Sequence, residues 1–285
     1  MPTVRTNDVE TYYERRGRGH PLVLVHGAWT DHRMWARQVE TLADEYDVVA
    51  YDVRGHGRTG GSADQRYSVE LLAADLKALV DALNLDRPYV CGLSLGGMIA
   101  QTYAVRYADR IGALVLADTA VSTRLTRRDA VLSLLLPKWA TAAAVRLLGP
   151  ERWVDVAFGI ASLTRGADWF GRDERVRAYV RETMSGFDAR EYNKVFGAVY
   201  DFRAVDLTAI EVPTLVVNGE FEDDAAFRHA EVIRRLVPDA STAVIPGAGH
   251  VSNMENPDAF DDAVRAFLSE ASGGSAGGRD RGASF

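Results

Sequence analysis

Cys91-Gly92-Leu93-Ser94-Leu95-Gly96-Gly97 places a serine between two glycines where an apolar run gives way to a helical pattern. Upstream, residues 87–91 read as a short buried strand; downstream, residues 97–107 carry helical periodicity. Ser94 is therefore predicted to occupy a sharp strand-to-helix turn, its hydroxyl pushed out of the sheet. Strand and helix approach so closely in such a turn that the positions two before and two after the serine must lack a Cβ. Gly92 and Gly96 meet that demand.

Working outward, residues 21–25, 47–51, 111–117, 212–219 and 242–245 are further apolar runs, the kind that strands carry when both faces of a parallel sheet are covered. Residues 3–16 alternate and suggest a hairpin. Helical patterns cover residues 31–46, 224–236 and 257–271, and a helix capped by Ser68 runs through Leu83. From 120 to 205 no strand-like run occurs. Helical stretches at 127–136, 139–148, 150–162, 174–186 and 189–200 follow one another there, carrying Trp139, Trp153, Phe158, Trp169, Phe170 and Phe187. The reading is an α/β fold whose core, 1–119 and 206–271, is interrupted by a helical insert at 120–205, with a low-complexity, disordered tail at 272–285.

Composition excludes several classes. With 33 basic against 40 acidic residues the net charge is −7, and no basic stripe marks a nucleic-acid footprint. The single cysteine, Cys91, can form no internal disulfide and reads as an inert core residue. No secretory signal opens the chain and no apolar run approaches the eighteen or so residues that span a bilayer, so a cytoplasmic protein without membrane contact is expected. The glycine-rich loop 52–62 lacks the lysine of a phosphate-binding loop, and His56 within it reads as a local hydrogen-bonder. No metal-ligand spacing is present; no metal or cofactor is expected.

A serine hydroxyl needs a base within hydrogen-bond reach. His229 falls inside a helical pattern. His250, by contrast, emerges from Gly247-Ala-Gly249 just after the final strand, at the carboxyl edge of the sheet where open α/β folds place their ligands. The base in turn needs an acid to hold its tautomer. Glu220, Glu222, Asp223 and Asp224 follow the strand ending at Gly219, and Asp118 ends the preceding strand. Charge developing on a substrate oxygen needs two preset donors, for which the amides of Leu95 and Ala28 are candidates. Trp29 is either a wall of the substrate pocket or packing, and Trp139, Phe158 and Val251 are candidate pocket residues.

His26-Gly27-Ala28-Trp29, Asp52-Val-Arg-Gly-His-Gly57, Gly92-Leu-Ser-Leu-Gly-Gly97, Pro213-Thr-Leu-Val-Val-Asn-Gly-Glu220 and Gly249-His250 occur in the order seen in the α/β-hydrolase superfamily. The chain resembles its cap-bearing esterase, enol-lactonase and perhydrolase-like members over nearly its whole length. The resemblance implies an eight-stranded, mostly parallel sheet flanked by helices, with a helical cap inserted after the sixth strand. It implies Ser94 as nucleophile, His250 as base, and Ala28 and Leu95 as oxyanion donors. The acid of the family usually lies three residues past the glycine closing the 213–219 strand, which is Glu222, where most members carry aspartate; a shift of one residue would bring Asp223 into play. Epoxide hydrolases and dehalogenases of this fold use aspartate where Ser94 stands. The expected activity is hydrolysis of a small, largely apolar carboxylic ester or lactone by a monomer or weak homodimer. Carbon–carbon bond hydrolysis or a cofactor-free perhydrolase reaction with the same triad, and a small-ligand receptor with a vestigial triad, are the alternatives.

Overall fold

The computed structural model describes residues 2–123, 137–166, 168–169 and 171–276. A hairpin of β1 (Thr3–Thr6) and β2 (Val9–Gly17) opens the chain, and β3 (His20–Val25), β4 (Tyr46–Tyr51), β5 (Tyr89–Leu93), β6 (Ala113–Ala117), β7 (Thr214–Gly219) and β8 (Ala240–Ile245) follow. They form one eight-stranded sheet in the order β1-β2-β4-β3-β5-β6-β7-β8, antiparallel at β1–β2 and β2–β4 and parallel from there on. This is the α/β-hydrolase fold.

The unbroken apolar runs lie in the middle of the sheet for the reason given by their composition: β4, β5, β6 and β7 are buried at every position. Alternate side chains feed two cores. Val23, Val25, Val90 and Leu114 meet α2 (Val69–Ala82) and α3 (Leu95–Arg106) on one face; Leu22, Leu24, Cys91 and Val115 meet α10 (Pro257–Ala276) on the other. Ser68 caps α2 by accepting from the Leu71 amide at 3.2 Å.

Register positions the site. Val25 stands opposite Gly92, Leu93 opposite Ala117, and Gly219 opposite Ile245. The chain segments beginning at His26, Ser94, Asp118, Glu220 and Pro246 therefore all leave the sheet along one carboxyl edge.

Between β6 and β7 run α4 (Lys138–Leu148), α5 (Pro150–Arg165), α6 (Glu174–Ser185) and α7 (Ala189–Asp201). Gly149 at φ +77° ends α4, and Pro150 opens α5 at a position whose missing amide costs nothing. The helix expected at 127–136, Phe170, and residues 277–285 of the expected tail lie outside the described residues. Beyond the insert come α8 (Asp224–Leu236) and the short α9 (Ser252–Glu255).

Two expectations need correction. The pattern at 31–46 is not one helix but a 3-10 turn at His32–Trp35, α1 (Ala36–Thr41) and a second 3-10 turn at Leu42–Asp44. The His32 amide is drawn to the Asp52 carboxylate at 2.8 Å, which tightens the first turn. At the other end α10 continues to Ala276, five residues into the segment expected to be a disordered tail. Glycine costs a helix about 1 kcal/mol per residue but does not forbid it. Among the described residues no helix is long and apolar enough to cross a membrane.

Candidate active site

The turn after β5 puts Ser94 at φ +55°, ψ −113°, a region that side-chain-bearing residues avoid. Local packing enforces it. A Cβ on Gly92 would stand 2.2 Å from the Gly96 carbonyl oxygen, and one on Gly96 would stand 2.1 Å from that of Val25. Hydrogen bonds then pin the turn from both sides, since the Ser94 amide donates to Ala117 O at 2.9 Å and Thr119 Oγ1 donates to Ser94 O at 2.6 Å.

His250 brings Nε2 to 3.1 Å from Ser94 Oγ, and its Nδ1 lies 2.5 Å from Glu222 Oε1. A carboxylate at Nδ1 keeps the proton there and leaves the Nε2 lone pair facing the hydroxyl. Burial works against the imidazolium, but the Glu222 charge outweighs it, so the His250 pKa is raised above the ordinary histidine value. Burial likewise opposes ionisation of Glu222, and His250 and the Trp169 hydrogen bond reverse that, holding its pKa below the usual carboxylate range.

Trp169 is the residue that sequence reasoning missed in this role. Its Nε1 donates to Glu222 Oε2 at 2.7 Å, its ring stacks on His250 at 4.3 Å between centroids, and its carbonyl accepts from the His250 amide at 2.8 Å. It was visible in the sequence only as one of several aromatics in the insert. Nothing in their spacing singles it out.

The other carboxylates near the strand ends have different work. Asp223 caps α8 through the Ala226 amide at 2.9 Å and pairs with Arg165 at 2.9 Å. Asp118, at φ +45°, accepts from the Gly219 amide at 2.8 Å and from Ser252 Oγ at 2.5 Å, joining the ends of β6 and β7 to α9. Burial, with the Glu222 charge in support, pushes its pKa up to about 8. Glu220 accepts from the Gly247 amide at 2.8 Å.

A cavity of about 320 Å³ opens over Ser94. Met34, Met98, Val180, Met184 and Val199 make its wall largely apolar, with Trp29, Ala28 and Val251 also lining it. Trp29 does both things weighed for it, because its indole lines the cavity while stacking on Tyr192 at 4.7 Å. The Leu95 amide opens α3, where a helix has no acceptor of its own for the N–H. His229 lies in α8 and faces this cavity, its Nδ1 accepting from the Val121 amide at 3.3 Å. Two pocket expectations fail. Trp139 is 74% exposed and lies outside this cavity, and Phe158, also outside it, is buried in the hydrophobic cluster that holds Trp153 and Val176.

The remaining histidines are committed to the scaffold. His26 accepts from the Val53 amide at 2.9 Å, and His56 bonds Arg54 O at 3.0 Å with its pKa driven down to about 3 by burial. Asp31, His32 and Asp52 are close enough together to suggest a metal, but their donor atoms are already used. His32 Nδ1 is 2.7 Å from Asp52 Oδ1, the other Asp52 oxygen takes the Arg58 amide at 2.7 Å, and Asp31 is clasped by the Arg33 guanidinium.

The family model described as the alpha/beta hydrolase fold matches residues 20–257. The chain belongs to that family. As an α/β hydrolase it is 26% identical to 3-oxoadipate enol-lactonase 2 of Acinetobacter baylyi, over 93% of this chain and 96% of that protein. Among solved structures it is similar to the enol-lactonase from Burkholderia xenovorans LB400, with 28% identity, a TM-score of 0.77, and coverage of 94% and 100%. A thermophilic esterase from Thermogutta terrifontis shares 27% identity with a TM-score of 0.79, covering 94% of this chain and 97% of that one.

Proposed function

We propose that this hydrolase cleaves a carboxylic ester or lactone of a small, largely apolar substrate through an acyl-enzyme on Ser94. The observation that carries the reading is the unbroken Ser94–His250–Glu222 chain at the floor of a cavity whose walls are mostly apolar. A volume near 320 Å³ sits at the small end of ligand sites and suits an acyl group of modest length.

His250 Nε2 takes the Ser94 proton as Oγ attacks the carbonyl carbon, and Glu222 stabilises the imidazolium formed. The amides of Ala28 and Leu95 receive the oxyanion; one such donor is typically worth on the order of 10²–10³ in turnover. His250 then returns its proton to the leaving alcohol, which departs. A water attacks the acyl-enzyme with His250 again as base, and Ser94 is released with the acid. In a lactone the alcohol and acid remain one molecule, so the product is a hydroxy acid, or its keto form when the lactone is enolic. The helices between β6 and β7 act as a cap, supplying Val180, Met184 and Val199 to the side of the cavity facing the sheet edge.

The test is labelling and turnover together. An alkyl fluorophosphonate should modify Ser94 stoichiometrically, and Ser94→Ala should abolish hydrolysis of an aryl acetate and of an enol-lactone with its circular dichroism unchanged. Retained turnover in the folded variant overturns the assignment.

A further inference from the structure

A second concavity, of about 620 Å³, lies on the other side of α7 from the cavity over Ser94. Its walls come from α4, from α7 and from core residues 65–67, so insert and core both contribute. Its charge is opposite to that of the chain. Arg66, Lys138, Arg146, Arg190 and Lys194 line it with Asp201 as the one acid among the described lining residues, whereas acids outnumber bases in the chain by 40 to 33.

Two of these cations are spent. Lys138 pairs with Asp201, and Lys194 is buried against Glu191 at 2.6 Å and Ser62 O at 2.8 Å. The three arginines are not. Elsewhere on the surface Arg33, Arg37, Arg165, Arg172, Arg181 and Arg234 each hold a carboxylate. Arg66, Arg146 and Arg190 have no side-chain hydrogen bond or ion pair among the described residues. Three uncompensated guanidiniums around one concavity repel each other and attract any anion that meets several at once.

We propose that this groove is a binding site for a small multivalent oxyanion, one carrying two or more phosphate or carboxylate groups. Each guanidinium comes from a different segment: Arg66 from the core, Arg146 from α4 and Arg190 from α7. A bound anion therefore ties the insert to the core, and α7, which gives Val199 to the catalytic cavity, gives Asn193 and Gly197 to this one. Trp139, absent from the catalytic cavity, lines this groove instead.

The experiment is calorimetric titration of the full chain with inorganic pyrophosphate and, separately, with citrate, in magnesium-free buffer at moderate salt. Saturable one-to-one binding is expected, and the tighter arm says whether phosphate or carboxylate is preferred. The triple variant Arg66→Ala/Arg146→Ala/Arg190→Ala should weaken it on the order of a thousandfold while keeping ester turnover, since charge-assisted contacts are each worth about a factor of ten or more. A charge-matched control, Arg16→Ala/Arg18→Ala/Arg235→Ala, should bind as wild type does. Ser94→Ala should also bind normally, which separates this site from the hydrolytic one. No saturable heat with either anion, equal weakening in the control, or loss of binding in Ser94→Ala overturns the proposal.

Discussion

The carboxyl edge of the sheet and the helices between β6 and β7 obey different rules. At the edge, Ser94, Asp118, Glu222 and His250 come from the ends of four strands, and each has its polar atoms taken up by another buried group. In the insert, Trp139, Leu147 and Leu163 stand 74%, 85% and 89% exposed, and Arg146 and Arg190 have no carboxylate partner among the described residues. The edge is overdetermined because a misplaced buried charge is expensive, whereas a solvent-facing helix surface tolerates almost any residue. The proposed chemistry is accordingly tied to strand ends, and the insert is where shape and secondary binding can vary. Trp169 is an exception, an insert residue that reaches the edge and bonds both Glu222 and His250.

The comparison breaks most visibly at Glu222. Glu222→Gln should lower kcat by about 10²–10⁴, because it removes the charge that stabilises the imidazolium. Its pH profile should change in a defined direction. In the proposed role His250 works as a base only when neutral, and Glu222 raises its pKa, so kcat/KM should fall on acidification through a value above the ordinary 6.5. Without the carboxylate the acid limb of the residual activity moves to lower pH, and an unmoved limb would show that another acid serves His250.

Trp169→Phe tests the exception. It keeps an aromatic ring over His250 but removes the hydrogen bond to Glu222, and a loss of about tenfold in kcat is expected, with little change in KM. If the variant behaves as wild type, the Trp169 hydrogen bond contributes nothing to the edge.

Asp118→Asn concerns stability. Its carboxyl holds a proton in the folded state up to a pH of about 8, whereas the unfolded chain releases it near 3.8. The folded form thus binds more protons between those values, and its stability falls as pH rises across that window. An amide cannot ionise, so the difference in Tm between pH 5 and pH 8 should shrink by a few degrees in the variant. An unchanged difference would mean that Asp118 is ionised in the folded protein.

The smallest effect is expected at Trp139. Trp139→Ala should leave kcat/KM for small esters within about twofold of wild type, as suits a surface side chain away from the cavity. A large loss would return Trp139 to the substrate wall.

What could be read in advance follows from the range of the forces involved. Gly92 is legible because the constraint it relieves, against Gly96 and Gly97, lies within five residues of chain, and the buried runs announce a covered parallel sheet by composition alone. His250 is legible because register brings every strand end to one edge. The choice among Glu222, Asp223 and Asp118 is not, since all three leave that edge and only side-chain direction separates a capping carboxylate from one aimed at an imidazole.

The insert was harder for the same reason at larger scale. Periodicity says which side of a helix is apolar but not what that side faces, so Trp139, Phe158 and Trp169 look alike until the helices are docked. The primary structure by itself settled the elbow, the order of strands and the positions from which serine and histidine depart. Only tertiary packing decided which carboxylate meets the imidazole, which tryptophan braces it, and which three arginines share a groove, because those outcomes depend on contacts between segments far apart along the chain, Trp169 lying 53 residues from the Glu222 it bonds.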